Sequence, residues 1–195
     1  MSTSNRPYHH RLKDVAAREN LDKLPAGLSA DFAEVELICL DVDGILTDNS
    51  ITYSENGRAL ATFNARDGLG IYLLRKSGIA VAFISALESP IVRVRAEELG
   101  IDHVHLGISR KLECVNDLGS RLSGKILFMG DDLWDLEAMR ACDIAASVCD
   151  ATIEALAAAD IISPYKGGRG AVRQISDITL EAKGVNRQRL VTDYD

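Results

Sequence analysis

The chain has 195 residues, of which 47% are hydrophobic and 26% are charged, as expected of a globular domain with a substantial core. Its formal net charge of -7 and sequence pI of about 5.1 exclude the basic face that nucleic-acid-binding proteins carry. No apolar run approaches the ~20 residues that span a bilayer, so no membrane partner is expected.

Residues 1–34 are predicted to form an N-terminal extension that carries no chemistry. Residues 11–24 have some helical periodicity, which Pro25 and Gly27 end, and the polar segment before them is unlike a secretory signal. None of the four cysteines belongs to a CxxC pair, so we expect reduced thiols in a cytoplasmic protein.

An apolar run at residues 37–40 is the first predicted strand, and it ends in the acidic segment DVDGILTD at residues 41–48. Two alternating runs around Asn56 and Gly57 then predict a β-hairpin at residues 50–63, which would lie as a flap over the acidic segment. Residues 64–68 are predicted to be a polar loop.

Strand patterns and helical patterns then alternate regularly along the chain. The further predicted strands are residues 79–84, 102–106, 125–129, 144–148 and 161–162. The predicted helices are residues 69–76 and 89–99, a helix that Ser109 caps and that carries Lys111, a helix ending at Arg140, residues 153–159, and a last helix to about residue 183. This alternation predicts an α/β fold, a three-layer sandwich with a mainly parallel Rossmann-like sheet. The core would span residues 35–183, and residues 184–195 would form a C-terminal tail.

Polar side chains of complementary kinds follow the ends of four predicted strands. They are Asp41 and Asp43 after the first strand, Ser85 after the second, Lys111 on the helix after the third, and Asp131, Asp132 and Asp135 after the fourth. Because the carboxyl ends of parallel strands meet at one edge of a sheet, these groups are expected to converge there. An Asp-x-Asp pair alone is more often a surface turn, but the second acidic strand end at Asp131 argues against that interpretation.

A cluster of carboxylates repels itself unless a cation neutralises it, and oxygen ligands suit Mg²⁺, which keeps several waters and shares substrate phosphate. Lys111 and Ser85 could bind the remaining phosphoryl oxygens. A carboxylate such as Asp41 can attack phosphorus to form an aspartyl-phosphate. Asp43, two residues further on, can reach the leaving oxygen as a general acid and then activate water. The pattern therefore predicts phosphoryl transfer with Mg²⁺.

These residues resemble the motifs of the haloacid-dehalogenase-type phosphohydrolases. DVDGILTD at residues 41–48 is similar to the first motif of that family, and GDDLWD at residues 130–135 is similar to the fourth. The segments FNARDGLGI at residues 63–71 and GGRGAVR at residues 167–173 resemble signatures of one subgroup, the 3-deoxy-D-manno-octulosonate 8-phosphate phosphatases. The resemblance covers roughly residues 35–183.

The resemblance implies a role for each matching residue. Asp41 would be the nucleophile and Asp43 the acid and base, with Ser85 and Lys111 as the second and third motifs. Mg²⁺ would be held by the Asp41 carboxylate, the Asp43 backbone carbonyl and Asp131. Two further carboxylates, those of Asp132 and Asp135, would act on the metal indirectly, through neighbouring groups or water.

The resemblance also implies an architecture and an assembly. Members of the subgroup have no cap domain, and the hairpin at residues 50–63 would serve instead. They are homotetramers, in which the glycine-rich segment at residue 167 is expected to approach a neighbouring subunit's site. There Arg169 or Arg173 could meet the carboxylate of the substrate, and Arg66 is a further candidate.

One departure from the subgroup concerns substrate choice. Its members usually have Gly-Arg directly after the serine of the second motif, where this chain has Ala86 and Leu87. An apolar side chain thus replaces a charged one near the expected leaving-group pocket. The first interpretation is a phosphatase of 3-deoxy-D-manno-octulosonate 8-phosphate, and the alternative is a phosphatase of a nonulosonate or related sugar phosphate.

Two alternatives from other classes remain at this point. A receiver-like signalling domain also places a phosphoacceptor aspartate at a strand end beside acids and a lysine, but Asp43 would shorten the life of its phosphorylated form. A catalytically inactive scaffold homologue is the other alternative, and the presence of all the chemical residues argues against it.

Overall fold

One parallel sheet organises the computed structural model, which describes residues 10–11, 24–55 and 57–192. The strands in chain order are β1 (His10–Arg11), β2 (Val35–Leu40), β3 (Thr52–Ser54), β4 (Gly57–Leu60), β5 (Ala80–Ser85), β6 (His103–Leu106), β7 (Lys125–Met129), β8 (Ile144–Val148) and β9 (Ile161–Ser163). Seven of these described strands form the sheet in the order β1-β9-β8-β7-β2-β5-β6, and every neighbouring pair is parallel. The strand that ends in the acidic segment, β2, therefore lies in the interior of the sheet.

Helices cover both faces of the sheet. They are α1 (Ala26–Ala33), α2 (Ala65–Lys76), α3 (Pro90–Glu98), α4 (Lys111–Gly119), α5 (Leu136–Ala141), α6 (Ile153–Ala158), α7 (Ala171–Ala182) and α8 (Arg187–Thr192), with a short 3-10 helix at Leu133–Asp135. Among the described helices, none is both long and apolar enough to cross a bilayer.

Alternation along β2 divides the interior into two apolar cores. Ile38 and Leu40 face a core shared with α1, α2, α3 and α7, whereas Leu37 and Cys39 face a core shared with α4, α5 and α6. A strand segment buried on both faces is apolar, as residues 37–40 of β2 are, whereas Glu36 near the start of the strand is exposed. The predicted α/β three-layer sandwich with a mainly parallel sheet is confirmed.

The antiparallel pair β3 and β4 is the flap that the sequence predicted. Within the described residues, this hairpin is the only regular structure between β2 and α2. Asn56, at the predicted turn, lies outside the described residues. Tyr53 on the hairpin is 72% exposed, so the flap offers an uncovered aromatic side chain.

Two local predictions are wrong. Residues 65–68 are the first turn of α2 and not a loop, because the Asn64 side chain accepts a hydrogen bond from Arg66 N at 2.8 Å and caps the helix. Ser109 does not cap α4, which begins directly at Lys111 with Arg110 at the N-cap position and no side-chain cap.

The described part of the N-terminal segment contributes to the core. Leu28 and Phe32 of α1 are buried, and α1 packs against α7. Lys183 Nζ donates to the Ala33 carbonyl at 2.9 Å, which ties the two helices at their ends. The predicted helical pattern at residues 11–24 falls mostly outside the described residues, and the division of the chain at residue 34 stays a prediction.

Candidate active site

The carboxyl ends of β2, β5 and β7 lie side by side because these strands are neighbours in the sheet. Asp41 N donates to the Met129 carbonyl at 3.0 Å, which carries the pairing of β2 and β7 up to the acidic residues. Asp41, Ser85 and Asp131 are all buried at this edge. The structure thus brings together the strand-end residues that the sequence singled out.

Lys111 joins two carboxylates inside this edge. Its Nζ lies 2.5 Å from Asp41 Oδ1 and 2.7 Å from Asp135 Oδ1, and the lysine side chain is 3% exposed. Burial disfavours its charge, but the attraction of Asp41 and Asp135 outweighs burial and raises the pKa of Lys111. A permanently charged ammonium group is therefore fixed beside the Asp41 carboxylate.

The Asp135 carboxylate is fully engaged with the protein. Its Oδ2 accepts backbone N–H groups of Asp131 at 2.9 Å and Asp132 at 3.1 Å, while its Oδ1 accepts from Lys111. Gly130 makes room for this arrangement, because a Cβ there would lie 2.5 Å from Asp135 Cβ. Asp132 caps the 3-10 helix through a bond from Leu133 N at 2.7 Å. Asp135 thus orients the loop and the lysine.

Asp131 is the carboxylate without a complete set of partners. Its Oδ1 is buried and has no hydrogen-bond partner, although buried polar atoms are almost always satisfied. Its backbone is well held, because the Asp131 carbonyl accepts from Thr152 N at 2.9 Å and from Thr152 Oγ1 at 3.1 Å. A fixed backbone with an unpartnered carboxylate oxygen is what a metal ligand needs before its metal is bound.

Oxygens from Asp41, Asp131 and Asp135 come within 4.8 Å of one another. Burial and the charge of Asp135 raise the pKa of Asp41 well above its ordinary value, although Lys111 opposes this. Burial, and then the charges of Asp135 and Asp132, raise the pKa of Asp131 to about 7. A hard cation would relieve this repulsion, and the donor set of carboxylate oxygens fits Mg²⁺.

Asp43 lies in a tightly wound loop that follows Asp41. Leu46 N and Thr47 N donate to the Val42 carbonyl at 2.9 and 3.1 Å, so the loop folds back on the residue between the two aspartates. Asp43 itself is half-buried. Its backbone is therefore held in the loop while its side chain keeps some access to solvent.

Ser85 ends β5 with its hydroxyl oriented by the chain that follows. Its Oγ accepts from Leu87 N at 3.0 Å, so the hydroxyl proton remains to donate elsewhere. Ala86 and Leu87 are both exposed, with Leu87 40% exposed. These two residues consequently contribute apolar surface, and no charge, next to Ser85.

The three candidate arginines share one surface groove. Arg66, Arg169 and Arg173 line a surface groove of about 630 Å³ together with Arg187, and the described residues around this groove include none of the clustered aspartates. Arg173 Nε pairs with Asp177 at 2.9 Å. Arg169 Nη2 also lies 2.9 Å from Asp48 Oδ2, and the substrate-binding role of all three arginines stays a prediction.

Asp67, for which the sequence suggests at most a structural pair with Arg66, is a buried acidic residue. It is 1% exposed, and it accepts backbone N–H groups of Gly170 at 3.1 Å and Arg173 at 2.7 Å. Its burial was not expected, because residues 64–68 were predicted to be a polar loop. Its position in the first turn of a helix is the signal that could have indicated an interior carboxylate.

Comparisons with known proteins show which family the chain belongs to. No family model matches the chain. The 3-deoxy-D-manno-octulosonate 8-phosphate phosphatase KdsC of Haemophilus influenzae is 39% identical over 153 residues, which cover 77% of this chain and 85% of the relative. The chain belongs to the KdsC family of phosphatases. It is accordingly a phosphoric monoester hydrolase.

Solved structures extend this family assignment. The 3-deoxy-D-manno-octulosonate 8-phosphate phosphatase of Moraxella catarrhalis, in complex with magnesium, phosphate and KDO, is 34% identical with a TM-score of 0.80, covering 88% of this chain and 100% of that one. A HAD-superfamily (subfamily III A) hydrolase from Legionella pneumophila is 32% identical with a TM-score of 0.81, covering 86% and 93%. The predicted resemblance to HAD-type phosphatases is confirmed.

Proposed function

We propose that this enzyme hydrolyses 3-deoxy-D-manno-octulosonate 8-phosphate with Mg²⁺, through an aspartyl-phosphate on Asp41. The observation that carries the proposal is the buried cluster in which Lys111 holds one oxygen of Asp41 while Asp131 Oδ1 has no partner. A lysine and a divalent cation on either side of a nucleophilic carboxylate suit a phosphoryl group, whose transfer is catalysed mainly by positioning and charge stabilisation.

Asp41 and Asp131, with the Asp43 carbonyl, would hold the Mg²⁺. When bound, the metal would neutralise charge on the transferring phosphoryl group and offset the repulsion among the carboxylates. Lys111 fixes Asp41 Oδ1, which leaves the other carboxylate oxygen for attack. Ser85 donates its hydroxyl proton to a phosphoryl oxygen, because its own oxygen already accepts from Leu87 N.

The reaction then proceeds in two steps, formation and hydrolysis of the aspartyl-phosphate. In the first, the free Asp41 oxygen bonds to phosphorus, the bond from phosphorus to the sugar oxygen breaks, and Asp43 gives its proton to that leaving oxygen. In the second, water attacks the aspartyl-phosphate while Asp43 takes a proton from the water. Phosphate leaves, and Asp41 and Asp43 return to their starting states.

Variants of the two aspartates test this mechanism. Asp41→Asn is expected to abolish phosphate release and labelling of the protein by phosphate. Asp43→Asn is expected to lower turnover about 100-fold or more, because the proton transfers are lost. Acid-quenched mass spectrometry would detect the phosphorylated chain. Unchanged turnover in Asp41→Asn would contradict the mechanism, whereas a stable phosphoprotein without turnover in the wild type would favour a receiver-like domain.

A second candidate substrate is a nonulosonate or related sugar phosphate. The observation in its favour is the exposed Leu87, which stands beside Ser85 where the subgroup has an arginine. Phosphate release should be compared for the octulosonate 8-phosphate, a nonulosonate 9-phosphate and glucose 6-phosphate. The first proposal requires kcat/KM at least about tenfold higher for the octulosonate, a difference of about 1.4 kcal/mol in transition-state binding. Equal values, or none for the octulosonate, would contradict it.

A matched pair of surface variants shows whether Leu87 selects the substrate. Leu87→Arg would place a cation beside Ser85, and we expect it to change the ratio of kcat/KM between the acidic sugar phosphates and glucose 6-phosphate. Val94→Arg adds the same charge at a comparably exposed position on α3 and should leave that ratio unchanged. An unchanged ratio in Leu87→Arg would remove the support for a role of this residue.

We further propose a homotetramer located in the cytoplasm. The exposed Tyr53 and the 51% exposed Ile51 near it support association through the hairpin, and four cysteines that form no disulfide, two of them buried, suit a reducing compartment. Light scattering of the purified protein is expected to give the mass of four chains. A monomer at micromolar concentration would contradict the assembly.

A further inference from the structure

The glycine loop, residues 167–170, is in backbone contact with the catalytic loop, residues 42–48, which carries Asp43. Gly168 N donates to the Ile45 carbonyl at 2.9 Å, and a Cβ on Gly167 would lie 1.8 Å from the Gly44 carbonyl oxygen. A Cβ on Gly168 would lie 2.7 Å from the Thr47 carbonyl carbon. Only glycines allow this approach, so the glycine-rich segment serves its own chain's catalytic loop.

Asp67 fixes the other side of this glycine loop. Its two carboxylate oxygens accept from Gly170 N and Arg173 N. Gly170 directly precedes α7, and Arg173 lies in the first turn of that helix. A carboxylate is favoured there, because the N-terminus of a helix carries a partial positive charge. Asp67 therefore fixes the junction between the glycine loop and α7. Asn64 Nδ2 also donates a hydrogen bond to the Gly168 carbonyl at 3.3 Å.

An ion pair closes the contact at its outer end. Arg169 Nη2 lies 2.9 Å from Asp48 Oδ2, and Asp48 is the last acidic residue of the catalytic loop. A hydrogen bond from Ser50 N, and then the nearby Arg169, lower the pKa of Asp48. Arg169 is exposed, so solvent screens the pair, and the buried glycine contacts provide most of the constraint.

We propose that Asp67 and Gly168 are positioning residues for Asp43. Through the glycine loop they fix the backbone of residues 42–48 in the position from which the Asp43 side chain can reach the leaving oxygen. The inference rests on the proposed function, in which Asp43 moves the protons. Neither residue touches the substrate, and both act through the backbone of the catalytic loop.

A matched pair of glycine variants tests the proposal in the full-length enzyme with Mg²⁺. Gly168 has a φ of 60° and Gly184 a φ of 69°, so alanine is similarly strained at both, but only Gly168 adjoins another backbone segment. Misplacement by about 1 Å can cost about 100-fold in rate. Gly168→Ala is expected to lower kcat about 10- to 100-fold relative to Gly184→Ala, with KM within about threefold.

The leaving group provides a readout that a purely structural defect would not change. p-Nitrophenolate leaves without needing a proton, whereas a sugar alkoxide needs one from Asp43. Gly168→Ala should therefore lower kcat/KM for the sugar phosphate at least about tenfold more than for p-nitrophenyl phosphate. Asp67→Asn, which keeps the shape but loses one of the two acceptors, should move both quantities in the same direction by a smaller factor.

Each outcome decides between positioning and mere structural support. If folded Gly168→Ala keeps the kcat of Gly184→Ala, or loses activity equally on both substrates, the proposal is wrong. If Gly168→Ala does not fold, Asp67→Asn decides by the same two criteria. Should the wild type reject the octulosonate 8-phosphate but accept another sugar phosphate, the proposed substrate fails, and the positioning test is read on the accepted sugar phosphate instead.

Discussion

Gly44 gives Asp131 the space in which its carboxylate lies: a Cβ on Gly44 would be 2.0 Å from Asp131 Oδ2. The glycine also has a φ of 94°, in the left-handed region that other residues rarely adopt. One residue of the first acidic segment thus determines how closely a carboxylate of the second can approach. The two strand ends are parts of one site, because they are in direct contact at Gly44 and Asp131.

Gly44→Ala should consequently remove the response to Mg²⁺. The added methyl group displaces Asp131, so we expect turnover to fall about 100-fold or more. We also expect the variant to have the same Tm with and without Mg²⁺. Gly78→Ala is the matched control, since Gly78 has a φ of 84° and nothing within 4 Å of its Cβ position. Thermal unfolding with and without Mg²⁺ measures the effect. A Gly44→Ala enzyme with the activity of Gly78→Ala would contradict this account of the site.

Lys111→Met should inactivate the enzyme while keeping the length of the side chain. The substitution removes the charge beside Asp41, and loss of one preorganised donor typically costs about 100- to 1000-fold in kcat. Lys125→Met is a fitting control, because Lys125 also pairs with two carboxylates, Asp31 and Glu34, but at the opposite end of the sheet. Steady-state kinetics on the accepted sugar phosphate decide. Equal kcat values for the two variants would show that Lys111 has only a structural role.

Asp131→Asn should stabilise the metal-free protein above neutral pH. The pKa of Asp131 is raised to about 7 by burial and by Asp135, so the folded state holds a proton that the unfolded state has already released. The free energy of unfolding therefore falls as the pH rises from about 4 to about 7, and the neutral amide avoids this loss. We expect a gain of about 1 to 3 kcal/mol at pH 8 in EDTA.

The same variant should lose the benefit of the metal. Urea unfolding with 5 to 10 times the half-saturating Mg²⁺ concentration of the wild type should leave Asp131→Asn unchanged, while the wild type gains about 1 kcal/mol. A normal Mg²⁺ response in Asp131→Asn would exclude this carboxylate as a metal ligand. An unchanged stability in EDTA would instead show that the buried charge costs little.

Phe32→Ala tests whether α1 belongs to the structural core. Phe32 has no exposed surface and packs in the core on the α7 side, so its truncation is expected to cost about 3 to 5 kcal/mol. Val94→Ala, at a 57% exposed position on α3, should cost less than about 0.5 kcal/mol. Chemical denaturation measures both. A loss below about 1 kcal/mol for Phe32→Ala would support a separable N-terminal extension ending at residue 34.

The strands of the sheet interior were predictable because buried strands have continuous apolar sequences. β7 and β8 have the predicted bounds, and the convergence of Asp41, Ser85 and Asp131 follows from parallel topology alone. The start of α2 was not predictable in the same way, since its first turn contains Asp67 and Gly68, which favour loops in isolation. The Asn64 cap and the contacts of Asp67 with Gly170 N and Arg173 N together reverse that preference.

The role of Asp135 marks the limit of reasoning from spacing. Its position in the fourth motif indicates an acid near a metal, but only the fold reveals that both of its oxygens are already occupied by Lys111 and by the backbone. The arginines are a second limit. The clustered aspartates do not line their groove, and no local pattern in the sequence indicates which surface a neighbouring subunit meets.

The interior position of β2 has a consequence for the order in which the protein forms. Its two neighbours, β5 and β7, begin about 45 and 90 residues later in the chain, and contacts between such distant segments form slowly. A nascent chain emerging from the ribosome would therefore carry its nucleophile long before it has the lysine, the second acidic loop or the glycine contact. Competence for phosphoryl transfer arises only when the last of these arrives.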